Sequence, residues 1–69
     1  MKPDLFGLAL RDENGEPDPD LVLIWGLEMA DCAVMVWFED GQHMTAVTDS
    51  AADAEKGLGR HLDLGLVYA

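Results

Sequence analysis

The pair Asp40-Gly41 lies between two short runs, Ala33 to Glu39 and Gln42 to Val47, that read as strands. Asp-Gly suits a two-residue hairpin turn, because both central residues of that turn take positive φ. A turn of fixed length fixes the register. Glu39 then opposes Gln42, Phe38 opposes His43, Trp37 opposes Met44, Val36 opposes Thr45, Met35 opposes Ala46 and Val34 opposes Val47. One face of the hairpin collects Val34, Val36, Phe38 and Val47 with His43 and Thr45. The other collects Ala33, Met35, Trp37, Met44 and Ala46. Both faces are substantially apolar, as in strands buried on both sides. Any fold that contains this hairpin has two oily surfaces to cover.

The segments before it add to the demand. In "LVLIWGLEM", Leu21, Leu23, Trp25, Leu27 and Met29 share one face, and Val22, Ile24 and Gly26 the other, apolar until Glu28. Gly26 within a strand marks a bulge or a close approach by a neighbour. Ala30-Asp31 is too short a connection for anything but an antiparallel return. "LFGLALRD" also alternates, with Phe6, Leu8 and Leu10 on one side and Leu5, Gly7, Ala9 and Arg11 on the other. Asn14-Gly15 predicts a turn, and Pro17 with Pro19 predicts a loop over "ENGEPDPD".

The period changes after Asp49. Ser50-x-x-Asp53 has the form of a capping box, with Asp49 as an alternative cap, and Ala51, Ala54, Leu58 and Leu62 line one side of a short helix. Gly57 and Gly59 predict its end near Gly59. "LGLVYA" reads as a last strand. The expected fold class is α+β: a small antiparallel sheet of about five strands, in the chain order ββββαβ, with one short helix packed on one face. One helix covers one face. The other needs a second copy or a partner, unless the strands curl into a small barrel.

At 69 residues the chain reads as a single domain, 1–69. Cys32 is the only cysteine, so no disulfide closes within the chain, and a thiol in a reducing compartment is expected. Fourteen carboxylates face Lys2, Arg11, Lys56 and Arg60, for a net charge of −10. Such a chain is repelled by nucleic acid and by anionic membranes. The expected partners are therefore protein, including a second copy, with no direct nucleic acid and no membrane. The apolar run Leu21 to Leu27 is too short to span a bilayer, and the acidic first twenty residues do not read as a signal peptide. A cytoplasmic protein is expected, few lysines among many Ala, Asp and Gly suit a GC-rich bacterium or a halophile, and the acidity by itself reads equally as a device for solubility or for high salt.

Sites for chemistry are absent from the pattern. Asp12, Glu13, Glu16, Asp18 and Asp20 form an acidic surface, but not a calcium loop. That loop needs glycine at its sixth position and glutamate at its twelfth. Counted from Asp12, Gly15 is fourth and Leu23 is twelfth. Cys32, His43 and His61 lack zinc-ligand spacing. Ser50, the sole serine, is placed as a helix cap, and no glycine elbow surrounds it. The glycines of "GLGRHLDLG" do not form a phosphate loop, and Arg60 alone does not change that. The reading is non-enzymatic, with no catalytic residue, cofactor or metal.

Tryptophan with adaptable methionine is typical of interface centres, which singles out Trp25, Met35, Trp37 and Met44 as interface residues. The expected function is a small acidic protein–protein interaction module, a homodimer or a subunit of a larger assembly. Two alternatives remain. One is an inhibitor, such as an antitoxin or a phage anti-defence protein, whose acidic surface occupies a basic nucleic-acid-binding site. The other is a ligand-binding or enzymatic module with a pocket between subunits.

Overall fold

The computed structural model describes residues 2–69. Strands β1 (Asp4–Arg11), β2 (Pro17–Glu28), β3 (Ala33–Glu39), β4 (Gln42–Thr48) and β5 (Gly65–Tyr68) form one five-stranded sheet. Its order is β4-β3-β2-β1-β5, and every neighbouring pair is antiparallel. One helix, α1, runs through Ala51–Ala54, Glu55–Gly59 and Arg60–Leu62 before β5. The architecture is the expected α+β sheet with one helix. The sheet is open: β4 forms one border and β5 the other, so the strands do not close into a barrel.

Local chemistry sets each joint. Asp40 and Gly41 take φ of 51° and 78°, and the β3–β4 register follows residue by residue from that turn. Gly15 takes φ of 82° in the β1–β2 connection. There the Asp12 carboxylate accepts the amides of Asn14 (2.9 Å) and Glu16 (3.0 Å), which closes the turn. The Pro17–Asp20 stretch is not the loop its prolines predict. It belongs to β2, with Arg11 opposite Pro17. Proline favours extended backbone, and its missing donor matters little where pairing is broken. The register shifts between Ala9 and Arg11, so Pro19 falls in an irregular stretch of the ladder.

The core lies between the helix and one sheet face. Phe6, Leu8, Ile24, Ala33 and Met35 meet Ala51, Ala54 and Leu64 there. Alanines on both sides let helix and sheet approach closely. Gly26 pairs with Phe6 across β1–β2, and the Phe6 ring lies over it. A Cβ built on Gly26 would stand 2.4 Å from Phe6 Cζ.

The helix differs from expectation at its far end. Gly59 does not stop it; residues Glu55–Gly59 form a π-helical turn, and Arg60–Leu62 continue. A π turn adds a residue and rotates everything after it relative to the α phase. Leu62 is thereby carried off the core stripe and is exposed, while Leu64 is buried in its place. The end is a Schellman motif: Leu64 N–H donates to Gly59 O (2.6 Å) and Asp63 N–H to Arg60 O (3.3 Å), with Asp63 at φ 58°. At the start, Ser50 Oγ accepts the Asp53 amide at 3.1 Å and donates to the Asp53 carboxylate at 3.1 Å. The shorter aspartate takes the hydroxyl rather than the backbone amide that a capping-box glutamate reaches.

Glu28 ties the layers together. One of its carboxylate oxygens accepts the Ala51 amide (2.8 Å), and the other accepts the Tyr68 hydroxyl (2.8 Å). The hydrogen bond to Glu28, then burial, then the charges of Glu28, Asp4 and Glu55 hold the Tyr68 phenol above its ordinary value of 10.0. The unfolded phenol ionises first as pH rises. The linked stability is therefore complete below pH 10.0 and is lost as pH rises through the folded value. Because Tyr68 is the only tyrosine, its phenolate absorbance reports this directly. Titration of the native protein should show a midpoint above 10.0, and Glu28→Gln should bring it back towards 10.0. Identical midpoints in the two proteins contradict the assignment.

Candidate functional site: an uncovered sheet face

The face opposite the helix has two parts. Around Gly7 and Ala9 of β1 and Gly65 of β5 the chain closes it itself. Register shifts in β1–β2 bring Val22 over Gly7, where an added Cβ would lie 2.6 Å from Val22 Cγ1. Pro17 lies over Gly65 in the same way, at 2.7 Å, and Ala9 is fully buried.

Over β2, β3 and β4 nothing covers it. Leu23, Trp25 and Leu27 from β2, Val36 and Phe38 from β3, Val47 from β4 and Leu5 from β1 are all exposed. Phe38 and Val47 retain 71% and 68% of their full exposure, and Trp25 retains 44%. Two shallow depressions indent this surface. The larger, about 570 Å³, is lined by Leu23, Trp25, Val36, Trp37, Phe38, His43, Met44 and Thr45. The smaller, about 280 Å³, is lined by Leu5, Trp25, Gly26, Leu27, Val34 and Val36. Trp25 and Val36 border both, and no carboxylate, lysine or arginine lines either. His43 faces Phe38 across the hairpin, with ring centroids 4.5 Å apart.

The interface residues singled out from the sequence divide between the two faces. Trp25 stands on the open face. Met35 does not serve as an interface anchor: it is wholly buried beneath the helix and has no surface to offer. Its strand face is the one that Ala51 and Ala54 cover. Trp37 and Met44, paired on that same side, are half-buried, and Trp37 packs against the core while both border the larger depression. Leu23, Val36, Phe38 and Val47 carry more of the open face than the methionines do. A signal for this was present. The covered face has small residues, Ala33 and Ala46, opposite a helix that presents Ala51 and Ala54. Small residues on both partners let a helix lie close to a sheet.

The acidic residues lie elsewhere. Asp12, Glu13, Glu16, Asp18 and Asp20 are at and beside the β1–β2 turn, where Asp12 and Asp18 accept backbone amides. Among the described residues, no group of three or more His, Cys, Asp or Glu is placed to hold a metal ion. Cys32 is a half-buried free thiol beside the β2–β3 turn. No helix among the described residues is long and apolar enough to cross a membrane. Comparison of the chain with protein-family models, curated proteins and solved structures finds no match to any of the three.

Proposed function

We propose that the protein is a small acidic interaction module that associates with itself, the open sheet face of one copy packing on that of a second. The observation that carries this reading is the continuous, uncharged apolar surface over β2, β3 and β4. Monomeric proteins rarely expose a patch of more than a few hundred Å². The exposed parts of Leu5, Leu23, Trp25, Leu27, Val36, Phe38 and Val47 present on the order of 700 Å², against roughly 800 Å² per partner in a standard interface. Two such faces stack as sheets do in a sandwich, about 10 Å apart. A two-fold arrangement sets no charged side chain against its own image at the centre, because neither depression is lined by one. The carboxylates of the turns remain at the rim.

Charge decides how association responds to salt. Each copy brings −10, so bringing two together is opposed by repulsion that salt screens. Sedimentation equilibrium over a dilution series is expected to show a dimer that tightens with added salt. A strict monomer at micromolar concentration in both low and high salt overturns the reading. The acidic hairpin of Asp12 to Asp20 favours a second reading, in which the protein occupies a basic nucleic-acid-binding surface of another protein. A complex of that kind loosens as salt is added. Cytoplasmic location and bacterial origin belong with this proposal as its setting.

A further inference from the structure

The chain contains four lysines and arginines, and three of them meet at one groove. Arg11 from β1 and Lys56 and Arg60 from the helix line a depression of about 260 Å³ where the end of β1 meets the last turns of the helix, and it shares no lining residue with the depressions of the open face. The π-helical turn supplies one wall, since Glu55, Lys56 and Gly59 all belong to it. Single π turns within helices are uncommon and concentrate at functional sites. Gly59 lines the groove and packs against the turn that ends the helix: a Cβ there would come within 3.0 Å of Leu64 O.

Two carboxylates, Glu55 and Asp63, line the same groove, so the three cations exceed the anions there by one, and both carboxylates have partners. One Glu55 oxygen accepts the Leu66 amide at 2.7 Å, and Asp63 pairs with Arg11 Nε at 3.5 Å. Arg11 Nη1 also donates to Gly15 O at 3.0 Å, so its guanidinium is oriented, and its Nη2 has no partner among the described residues. Lys56 and Arg60 form no ion pair among the described residues, although the chain holds fourteen carboxylates. Cations from two separate elements, two of them planar forks, suit a tetrahedral anion with several acceptor oxygens.

The geometry points to a binding site for a small phosphate group, free or as a monoester, held by Arg11, Lys56 and Arg60 in this groove. The site is independent of self-association through the other face. The test is a titration of the isotope-labelled full chain with inorganic phosphate, followed by amide shifts in NMR at constant ionic strength. Saturable shifts at Lys56, Gly57 and Arg60 are expected, with a dissociation constant of about 1 mM. Lys56→Gln with Arg60→Gln should weaken binding at least about tenfold. Asp63→Asn, which removes a competing carboxylate from Arg11, should tighten it several-fold. Circular dichroism melts confirm that each variant is folded, and the gain in Asp63→Asn stands independently of any loss elsewhere. Glycerol 3-phosphate binding more tightly than phosphate identifies a monoester ligand, and equal binding identifies free phosphate. Shifts that do not saturate, that chloride reproduces, or that persist unchanged in the double variant overturn the site.

Discussion

Trp25→Asp is expected to abolish self-association and leave the monomer folded. Trp25 borders both depressions of the open face, so in a face-to-face dimer it lies at the centre of the buried patch. Losing a central aromatic anchor typically costs about 2 kcal/mol, and a carboxylate set there without a partner adds at least about 2 more, so about 4 kcal/mol is a lower bound. That corresponds to a loss of roughly a thousandfold in association constant. Its neighbours across the strands are Gly7 and Val36, all on the side away from the helix, so the Phe6–Met35 core is untouched. Sedimentation of the variant should give a monomer throughout the range in which the native protein is dimeric, with an unchanged far-ultraviolet spectrum. Met35→Ala is the matched control. It removes buried volume beneath the helix, so it should lower the melting temperature and spare the dimer. A dimer that survives Trp25→Asp moves the interface elsewhere.

Gly26→Ala should strike the opposite side of the same strand and unfold the protein rather than dissociate it. The added methyl would sit 2.4 Å from Phe6 Cζ and 2.6 Å from Phe6 Cε1, far inside contact distance. Phe6 is wholly buried, so the ring has nowhere to turn without displacing the core. Overpacking of this kind costs about 1–3 kcal/mol, and the upper end applies where a rigid ring opposes a strand backbone. In a domain of this size, about 3 kcal/mol lowers the melting midpoint by roughly 12–24 °C. The partner mutation makes the prediction specific. Phe6→Leu removes the ring atoms that clash, so the double variant Phe6→Leu/Gly26→Ala should be more stable than the sum of its singles implies. Strict additivity of the two melting shifts would show that the contact is not the cause.

The parts of this fold that the sequence specifies locally were legible in it. Asp40-Gly41 fixed the β3–β4 register through a single turn, and Ser50 announced the helix start. The close approach at Gly26 was legible as a strand glycine, though not the identity of Phe6 as the neighbour. What escaped was set by long-range packing. Pro17 reads as a loop residue, yet Gly65, distant in sequence, receives it in the sheet. The π turn cannot be seen in a 3.6-residue period, because it is a departure from that period, and Leu62 was misplaced as a result. Met35, an interface residue by its pattern, is wholly buried for a related reason. Alternation shows which residues share a face and not which face is inside; the small Ala33 and Ala46, matched to Ala51 and Ala54, were the pointer to the covered one. The gathering of Arg11 with Lys56 and Arg60 also joins residues that are far apart along the chain.

The β4 border has a consequence of its own. From Gln42 to Thr48 it has no charged residue, no proline and no bulge, the devices by which exposed strands normally refuse recruitment into larger stacks. Long-range repulsion among carboxylates is what holds copies apart along that margin, and it vanishes near the isoelectric point of about 4.1. Acidification toward that point is therefore expected to turn the uncharged β4 border into a site of edge-to-edge stacking, read as turbidity that neutral pH does not produce.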